Sequence, residues 1–331
     1  MRGMRGENSS FWPFRKKNLT VRNKVMANLL SELTVLKAVI LCIVTTLILG
    51  GLVVISRSGL TGSFSAADLT FFRYTSGLLL LPIFIRFKVS NLGGVGWRRG
   101  IILTILSGWF FNMFLMSGFL FAPAAHGAIF SPGTMPMFAA IISSYLLKEI
   151  LGSWRITGLC ILVSGLVAMG WGGFTGYYPN AWIGDLLFLS AACMWGLFTV
   201  LIKYWDVDPV YGVSLVAVIS FFTFTPIYFI FYETPFGIVP WIDIAIQWFY
   251  QGFLVGVFAV LFFTVSIPVI GPARTALFMT LVPIFGSVMA VILLDETLTK
   301  LEVFGIILVL LGMLAAMGLK PHFSAKKYLN K

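Results

Sequence analysis

Charge is what this sequence has least of. Only 11% of its 331 residues are Asp, Glu, Lys or Arg, against about 25% in an ordinary soluble domain, which excludes a water-soluble enzyme of this length. Histidine is scarcer still. His126 and His322 are the two present, so a multi-histidine metal site is excluded. The three cysteines, Cys42, Cys160 and Cys193, all fall inside apolar stretches. They form no disulfide framework, and their spacing matches no zinc motif. There is no G-x-x-x-x-G-K-S/T phosphate loop, no H-E-x-x-H and no recognisable nucleophile motif with a histidine and an acid. Nothing therefore points to ATP hydrolysis by the chain itself, and no cofactor or metal is expected.

What the chain does hold is apolar surface: 59% of residues are hydrophobic and the mean hydropathy is +0.97. Apolar stretches of about 20 residues, the length that crosses a ~30 Å hydrocarbon core as helix, follow one another. Windows of about 19 residues place ten spans, near 37–56, 67–86, 99–121, 124–147, 154–172, 182–203, 209–232, 245–267, 271–294 and 301–319. The expected fold is all-α and integral to the membrane, with no room for a soluble domain between spans. Ser65-Ala66-Ala67-Asp68 and Thr299-Lys300-Leu301-Glu302 read as capping boxes opening spans 2 and 10. Asp208-Pro209 and Pro272 mark the starts of spans 7 and 9. Residues 1–36 read as a basic cytoplasmic tail, 173–181 as a linker and 320–331 as a second basic tail. The first apolar run is span-length with no cleavage signal after it, which argues against a cleaved leader.

The net charge of +11 would suit nucleic acid were it gathered on a soluble face. Instead the basic residues sit in the tails and in alternate loops, which excludes a nucleic-acid partner and records orientation. With the N-terminus in the cytoplasm, every one of the 23 Lys and Arg falls on the cytoplasmic side except Arg57, Lys300 and the intra-span Arg73. Both termini are therefore expected inside, in a plasma membrane of the bacterial inner-membrane kind.

The two halves repeat each other. Pro136 to Glu149 spans thirteen residues, as does Pro283 to Glu296. Gly158 and Gly165 follow Glu149 by nine and sixteen, and Gly305 and Gly312 follow Glu296 by the same distances. At this offset of 147, Phe138 meets Phe285 and Leu146-Leu147 meets Leu293-Leu294 without a gap. Gly50 to Arg57 and Gly196 to Lys203 are both seven residues. Each half holds five spans, an odd number, so the halves cross the membrane in opposite senses. The expected architecture is two inverted five-helix repeats, 37–172 and 182–319. Inverted repeats are a transporter architecture, with substrate bound near the midplane between halves.

At these residues the chain resembles the drug/metabolite transporter superfamily, in its EamA-type branch of ten helices. The resemblance rests on Trp195-Gly196…Lys203, on Asp68…Arg73, and on the two Pro…Glu…Gly…Gly series. Span 1 departs from it, with Leu49-Gly50 where the family often has Trp-Gly. The resemblance implies an exporter or exchanger of small organic solutes. It also implies a central cavity lined by spans 1, 3, 4, 6, 8 and 9, with 5 and 10 at the periphery.

Candidate substrate-binding residues follow from polar or helix-breaking groups inside the spans. Pro132, Gly133 and Pro136 interrupt span 4, and Pro283 lies near the middle of span 9. Proline frees the carbonyl four residues earlier, and such carbonyls in a bilayer need another partner. These breaks are read as pocket lining or hinges, with the Ser131 hydroxyl beside them, against the alternative of a packing kink. His126 near the outer start of span 4 and Arg274 near the inner start of span 9 put ionisable groups at opposite mouths. His126 is the candidate for proton linkage; the bland readings are an interfacial histidine and a topology charge.

Asn112, Gln247 and Gln251 suit a polar substrate or, equally, interhelical hydrogen bonding. Trp195 stands with Trp109, Phe110, Trp248 and Tyr250 as a weak aromatic-wall signal. Asp68 and Arg73, five residues or about 140° apart on a helix, do not share a face. Glu149 and Glu296 close spans 4 and 9 against the helix dipole. Each therefore needs a partner on a neighbouring helix or in the next turn, Lys300 serving Glu296. The glycines of spans 5 and 10 permit close packing within the fold or in a homodimer.

The reading is a secondary transporter of small organic metabolites, amino acids or similar, working by alternating access and exporting. The bilayer and a small-molecule substrate are its partners. A lipid or lipid-linked carrier flippase is the alternative, and an intramembrane enzyme, for which no catalytic constellation is found, stands behind it.

Overall fold

Backbone N–H and C=O groups find no water in hydrocarbon, so a chain that spans it satisfies them within helices. The computed structural model describes residues 34–86, 89–174, 179–271, 275 and 278–317, and among these all regular structure is helical. In chain order the α-helices are α1 (Val35–Thr61), α2 (Ala66–Tyr74), α3 (Ser76–Ile85), α4 (Trp97–Ser107), α5 (Trp109–Phe121), α6 (Ala124–Phe130), α7 (Met135–Leu146), α8 (Ser153–Phe174), α9 (Ala181–Tyr204), α10 (Pro209–Phe231), α11 (Trp241–Trp248), α12 (Val260–Ile270), α13 (Leu281–Leu293) and α14 (Lys300–Ala316). A π-helical stretch, Phe249–Ala259, joins α11 to α12.

Eight segments are long and apolar enough to cross a membrane among the described residues: α1, α2–α3, α4–α5, α6–α7, α8, α9, α10 and the run Trp241–Ile267. α13 is shorter, at 13 residues, and most of the chain just before it lies outside the described residues. The Ser65/Asp68 and Thr299/Glu302 capping boxes both form, and Asp208 accepts from the Tyr211 amide ahead of Pro209. Pro272, the expected start of span 9, lies outside the described residues, as do the two terminal tails.

The repeats show themselves in matched geometry. A Cβ on Gly50 of α1 would sit 2.8 Å from Phe285 Cβ and 3.0 Å from the Gly286 amide; on Gly196 of α9 it would sit 2.8 Å from Phe138 Cβ and 3.0 Å from the Ala139 amide. Each first helix thus packs on the other half's fourth span at the same residues. Lys148 and Asp295, equivalent at the 147 offset, both adopt left-handed φ, 53° and 52°. That conformation turns the chain after α7 and after α13, and it sets the following Glu149 and Glu296 in the same local frame.

α8 and α14 cross along their glycines. A Cβ on Gly165 would sit 2.7 Å from the Gly305 carbonyl oxygen, and Gly158 lies against Ala315 and Ala316. Early residues of one helix meet late residues of the other, so these equivalent helices run antiparallel and the repeats are inverted. The four glycines are thereby used within the chain, which removes them as a sign of a homodimer.

The outward surfaces stay apolar. Ile101 and Ile105 of α4, Val163 and Val167 of α8, and Ile307 and Leu311 of α14 are all exposed. A helix that is hydrophobic all round suits lipid on its outer side. Helix alternation gathers the N-termini of α2, α6, α9 and α14 at one end of the bundle, called here the His126 end. Glu149, Lys203 and the start of α1 lie at the other, the Lys203 end.

Candidate functional site

Span 4 is not one helix. α6 stops at Phe130, residues 131–134 form a turn, and α7 begins at Met135. Prolines at 132 and 136 withhold two N–H groups, so the ladder cannot run through. Thr134 repairs part of the gap: its hydroxyl donates to the Phe130 carbonyl at 2.6 Å. Ser131, 1% exposed, keeps a buried hydroxyl with no hydrogen-bond partner. Pro136 falls in the first turn of α7 and Pro283 in the first turn of α13, just after Thr280. A first-turn proline gives up an N–H that has no intrahelical partner. Pro283 therefore opens a helix segment and does not kink one, and the two prolines match. Pro132 and Pro136 are half-buried and Pro283 is buried.

His126 occupies the first turn of α6 and is fully buried. Its Nδ1 lies 2.8 Å from Asp185 Oδ1 of α9, and its Nε2 3.3 Å from Glu302 Oε1 of α14. Asp185 is 5% and Glu302 2% exposed. Glu302 has two roles, one per oxygen. Oε2 accepts from the Thr299 amide at 2.6 Å and from the Thr299 hydroxyl at 2.8 Å, closing the capping box, while Oε1 faces the imidazole. His126 and Glu302 stand in first turns, where the dipole favours the Glu302 carboxylate, and Asp185 one residue past the first turn of α9, so each group is held by a regular element. Among the described residues no cluster of ligand-type side chains is placed to hold a metal ion.

Beside this triad, Glu296 accepts from the Ala124 amide at 2.7 Å and the Ala125 amide at 3.1 Å. Its partner is therefore the start of α6, reached across the bundle, where the sequence suggested Lys300. Arg57 at the end of α1 donates to the Phe119 carbonyl of α5. Together these contacts tie α1, α5, α6, α9, α14 and the turn after α13 at the His126 end.

At the Lys203 end the equivalent glutamate behaves differently. Glu149 accepts from Lys203 Nζ at 2.7 Å, and the two side chains are 40% and 57% exposed. The Lys203 hydrogen bond, followed by one from the Ser143 side chain, holds the Glu149 carboxyl below the usual carboxylate range. Arg274, expected at this end, lies outside the described residues.

The remaining candidates make interhelical contacts. Asn112 Nδ2 donates to Thr70 Oγ1 at 3.0 Å, Gln251 Nε2 to Ser56 Oγ at 2.9 Å, and Gln247 Nε2 to the Ile55 carbonyl at 2.8 Å. Gln247 and Gln251 thus tie α11 and the π-helical stretch to α1, with their buried carbonyl oxygens unpartnered. Trp195 is half-buried, its ring 5.3 Å from that of Phe111. Asp68 accepts from its own cap Ser65 and, with the other oxygen, from the Tyr228 hydroxyl of α10, and it does not pair with Arg73.

The sequence reading missed Asp185, although an acid inside a span is itself a signal of function. It took Glu302 for a cap alone.

The model of the EamA-like transporter family matches residues 36–171 and again 182–318. A curated relative, "Uncharacterized transporter YyaM" from Bacillus subtilis (strain 168), is 26% identical over 241 residues, covering 69% of this chain and 76% of that protein. One solved crystal structure superposes with a TM-score of 0.57 at 16% identity over 84% of this chain and 96% of that one, a likeness of fold. Two family matches over equivalent, inverted halves leave one assignment: the chain belongs to the EamA-like transporter family and is a multi-pass membrane transporter.

Proposed function

We propose that this transporter carries small organic metabolites, amino acids or similar, by alternating access, and that it exports them across a plasma membrane with both chain ends in the cytoplasm. The observation that carries the reading is the unequal burial of the two ends, the His126 triad being closed from water and the Glu149–Lys203 pair exposed. Glu296 caps the start of α6 and draws the His126 end shut, while at the other end Glu149 accepts from an exposed Lys203. A pseudo-symmetric pair of halves in unequal states is what alternating access requires. The placement of Lys and Arg puts the His126 end outside, which makes this an inward-facing arrangement.

Ser131, Pro132, Pro136 and Pro283 contribute the broken helices, whose N-terminal starts suit a carboxylate and whose freed carbonyls suit an ammonium. Asn112, Trp195 and Gln251 would form the wall, and His126 and Arg274 the two mouths. The test is thiol labelling of Ser131→Cys by a membrane-impermeant reagent, in a chain whose native cysteines are replaced. Labelling in inside-out vesicles, slowed by a mixture of the standard amino acids, is expected. Absence of labelling from either face of the membrane contradicts an aqueous pocket at the break.

A second reading, a flippase for a lipid or lipid-linked carrier, draws support from one feature. An open apolar groove of about 310 Å³ lies between α2 and α11, lined by Phe71, Phe72, Thr75, Phe236, Trp241 and Trp248 among others. Labelling of S131C that is slowed by a short-chain lipid and unaffected by amino acids would favour it.

A further inference from the structure

The triad at the His126 end has a proton count that its geometry determines. A neutral imidazole offers one donor and one acceptor, and an ionised carboxylate only accepts. Both His126 nitrogens lie within hydrogen-bonding distance of carboxylate oxygens, 2.8 Å to Asp185 and 3.3 Å to Glu302. With a neutral ring, one of those contacts would set lone pair against lone pair. Glu302 Oε2 is held as an acceptor by its cap, where it receives two hydrogen bonds from Thr299, and a proton shared with the ring lies on the Oε1 side. As placed, the cluster holds one proton more than a neutral histidine with two carboxylates.

Charged groups near the ring come from few elements. Asp185 reaches it from α9 and Glu302 from α14; Glu296 stands over the start of α6, and Arg57 comes from α1. Among the described residues, α5 and α13 carry no ionisable side chain, and the only one on α8 apart from a cysteine is Arg155, at the Lys203 end. An opening of the His126 end that parts α6 from α9 and α14 separates the imidazole from both carboxylates. An imidazole without them gives up its proton more readily in the neutral range.

We propose that His126, Asp185 and Glu302 form a proton-binding site, loaded while this end of the transporter is shut and emptied to water when it opens, so that a proton enters and leaves with each transport cycle. The proposal rests on the alternating-access reading and makes the closing of the His126 end proton-linked. The imidazole takes up the proton as α6 closes on its two acceptors and releases it to water at the His126 end when α6 moves away. Linkage sets the direction: the shut state binds the proton more tightly, so acid favours it and alkali favours opening.

Two measurements on the full-length chain test the site and its coupling separately. The sequence has two histidines, so His322→Gln leaves one, and histidine-labelled NMR in nanodiscs reads His126 alone. The expected spectrum is imidazolium near neutral pH, with a midpoint that drops by about one pH unit or more in Asp185→Asn and in Glu302→Gln. A neutral ring at that pH, or a midpoint unmoved by both variants, overturns the site.

For the coupling, spin labels at the exposed positions Ser63→Cys and Asn180→Cys report the width of the His126 end from mildly acid to mildly alkaline pH. Wild type is expected to shift from a short to a longer distance as pH rises, and His126→Gln to show no such shift. A pH response equal in both, or one distance at every pH, overturns the coupling. Neither measurement involves substrate, so the proposal and the transport reading fail by different results.

Discussion

Glu149 and Glu296 occupy equivalent places, each directly after a left-handed residue, yet one accepts from Lys203 Nζ and the other from the Ala124 and Ala125 amides. Glu296 also interacts with the charge of Arg57, the counterpart of Lys203, so each glutamate faces the cation that ends the first helix of the other half. We read the pair as latches, one closed on α6 at the His126 end and one open to water at the other.

Removing the closed latch is expected to loosen the His126 end. Glu296→Ala strips two amides of their acceptor, a loss comparable to that of a helix N-cap, about 0.5–2 kcal/mol. Glu296→Gln keeps an acceptor oxygen and falls between alanine and wild type. Faster impermeant-thiol labelling of a cysteine at position 125 in the alanine variant checks this; equal labelling in all three chains would show that Glu296 holds nothing shut.

The open latch titrates. Lys203 holds the Glu149 carboxyl below its ordinary range, so the pair's contribution is present above that range and is lost as pH falls through the lowered value. Both side chains are substantially exposed, which screens the effect to about 1 kcal/mol or less. Lys203→Met is expected to move the Glu149 titration up toward ordinary carboxylate values, seen as a flatter acid limb when thermal stability is followed against pH. An acid limb identical to wild type would mean the pair does not persist in solution.

The mirrored glycines make a symmetry prediction. Gly50→Ala and Gly196→Ala each push a Cβ to 2.8 Å from a phenylalanine Cβ on the opposite half, and overpacking of that kind costs about 1–3 kcal/mol. The two variants should lose similar amounts of thermal stability. Gly152→Ala, with nothing within 4 Å, should not. A large inequality between the first two would count against equivalent packing in the two halves.

Gln251 and Ser56 form a buried hydrogen bond between the π-helical stretch and α1. A double-mutant cycle with Gln251→Leu and Ser56→Ala is expected to give a coupling of about 0.5–1.7 kcal/mol, the range for polar contacts between membrane helices. Zero coupling together with a lost transport activity would leave Gln251 a role in the substrate wall alone.

Much of this was readable in advance, for physical reasons. Capping boxes at Ser65 and Thr299 depend on residues three apart, so local sequence determines them. Prolines at 132 and 136 forbid a continuous ladder whatever surrounds them, and the break after Phe130 is the result. The 147 offset marked both glutamates and the helix-crossing glycines, because a repeat preserves the residues whose geometry it needs.

The partners across the bundle were harder to see. Asp185 lies 59 residues from His126 and Glu302 lies 176 away. Nothing local tells a capping glutamate that its second oxygen will face an imidazole. Glu296 was matched with Lys300 for the same reason: proximity in sequence stood in for proximity in space, and the acceptor went to α6.

The most direct test of the transport account is untargeted metabolite profiling of the medium from cells producing the wild-type chain, His126→Ala or Glu296→Ala at matched membrane levels. The account predicts that a set of amino-acid-like solutes accumulates outside with wild type and is reduced or lost with both variants. If medium from wild-type, variant and empty cells is the same, export of small metabolites by this chain is contradicted.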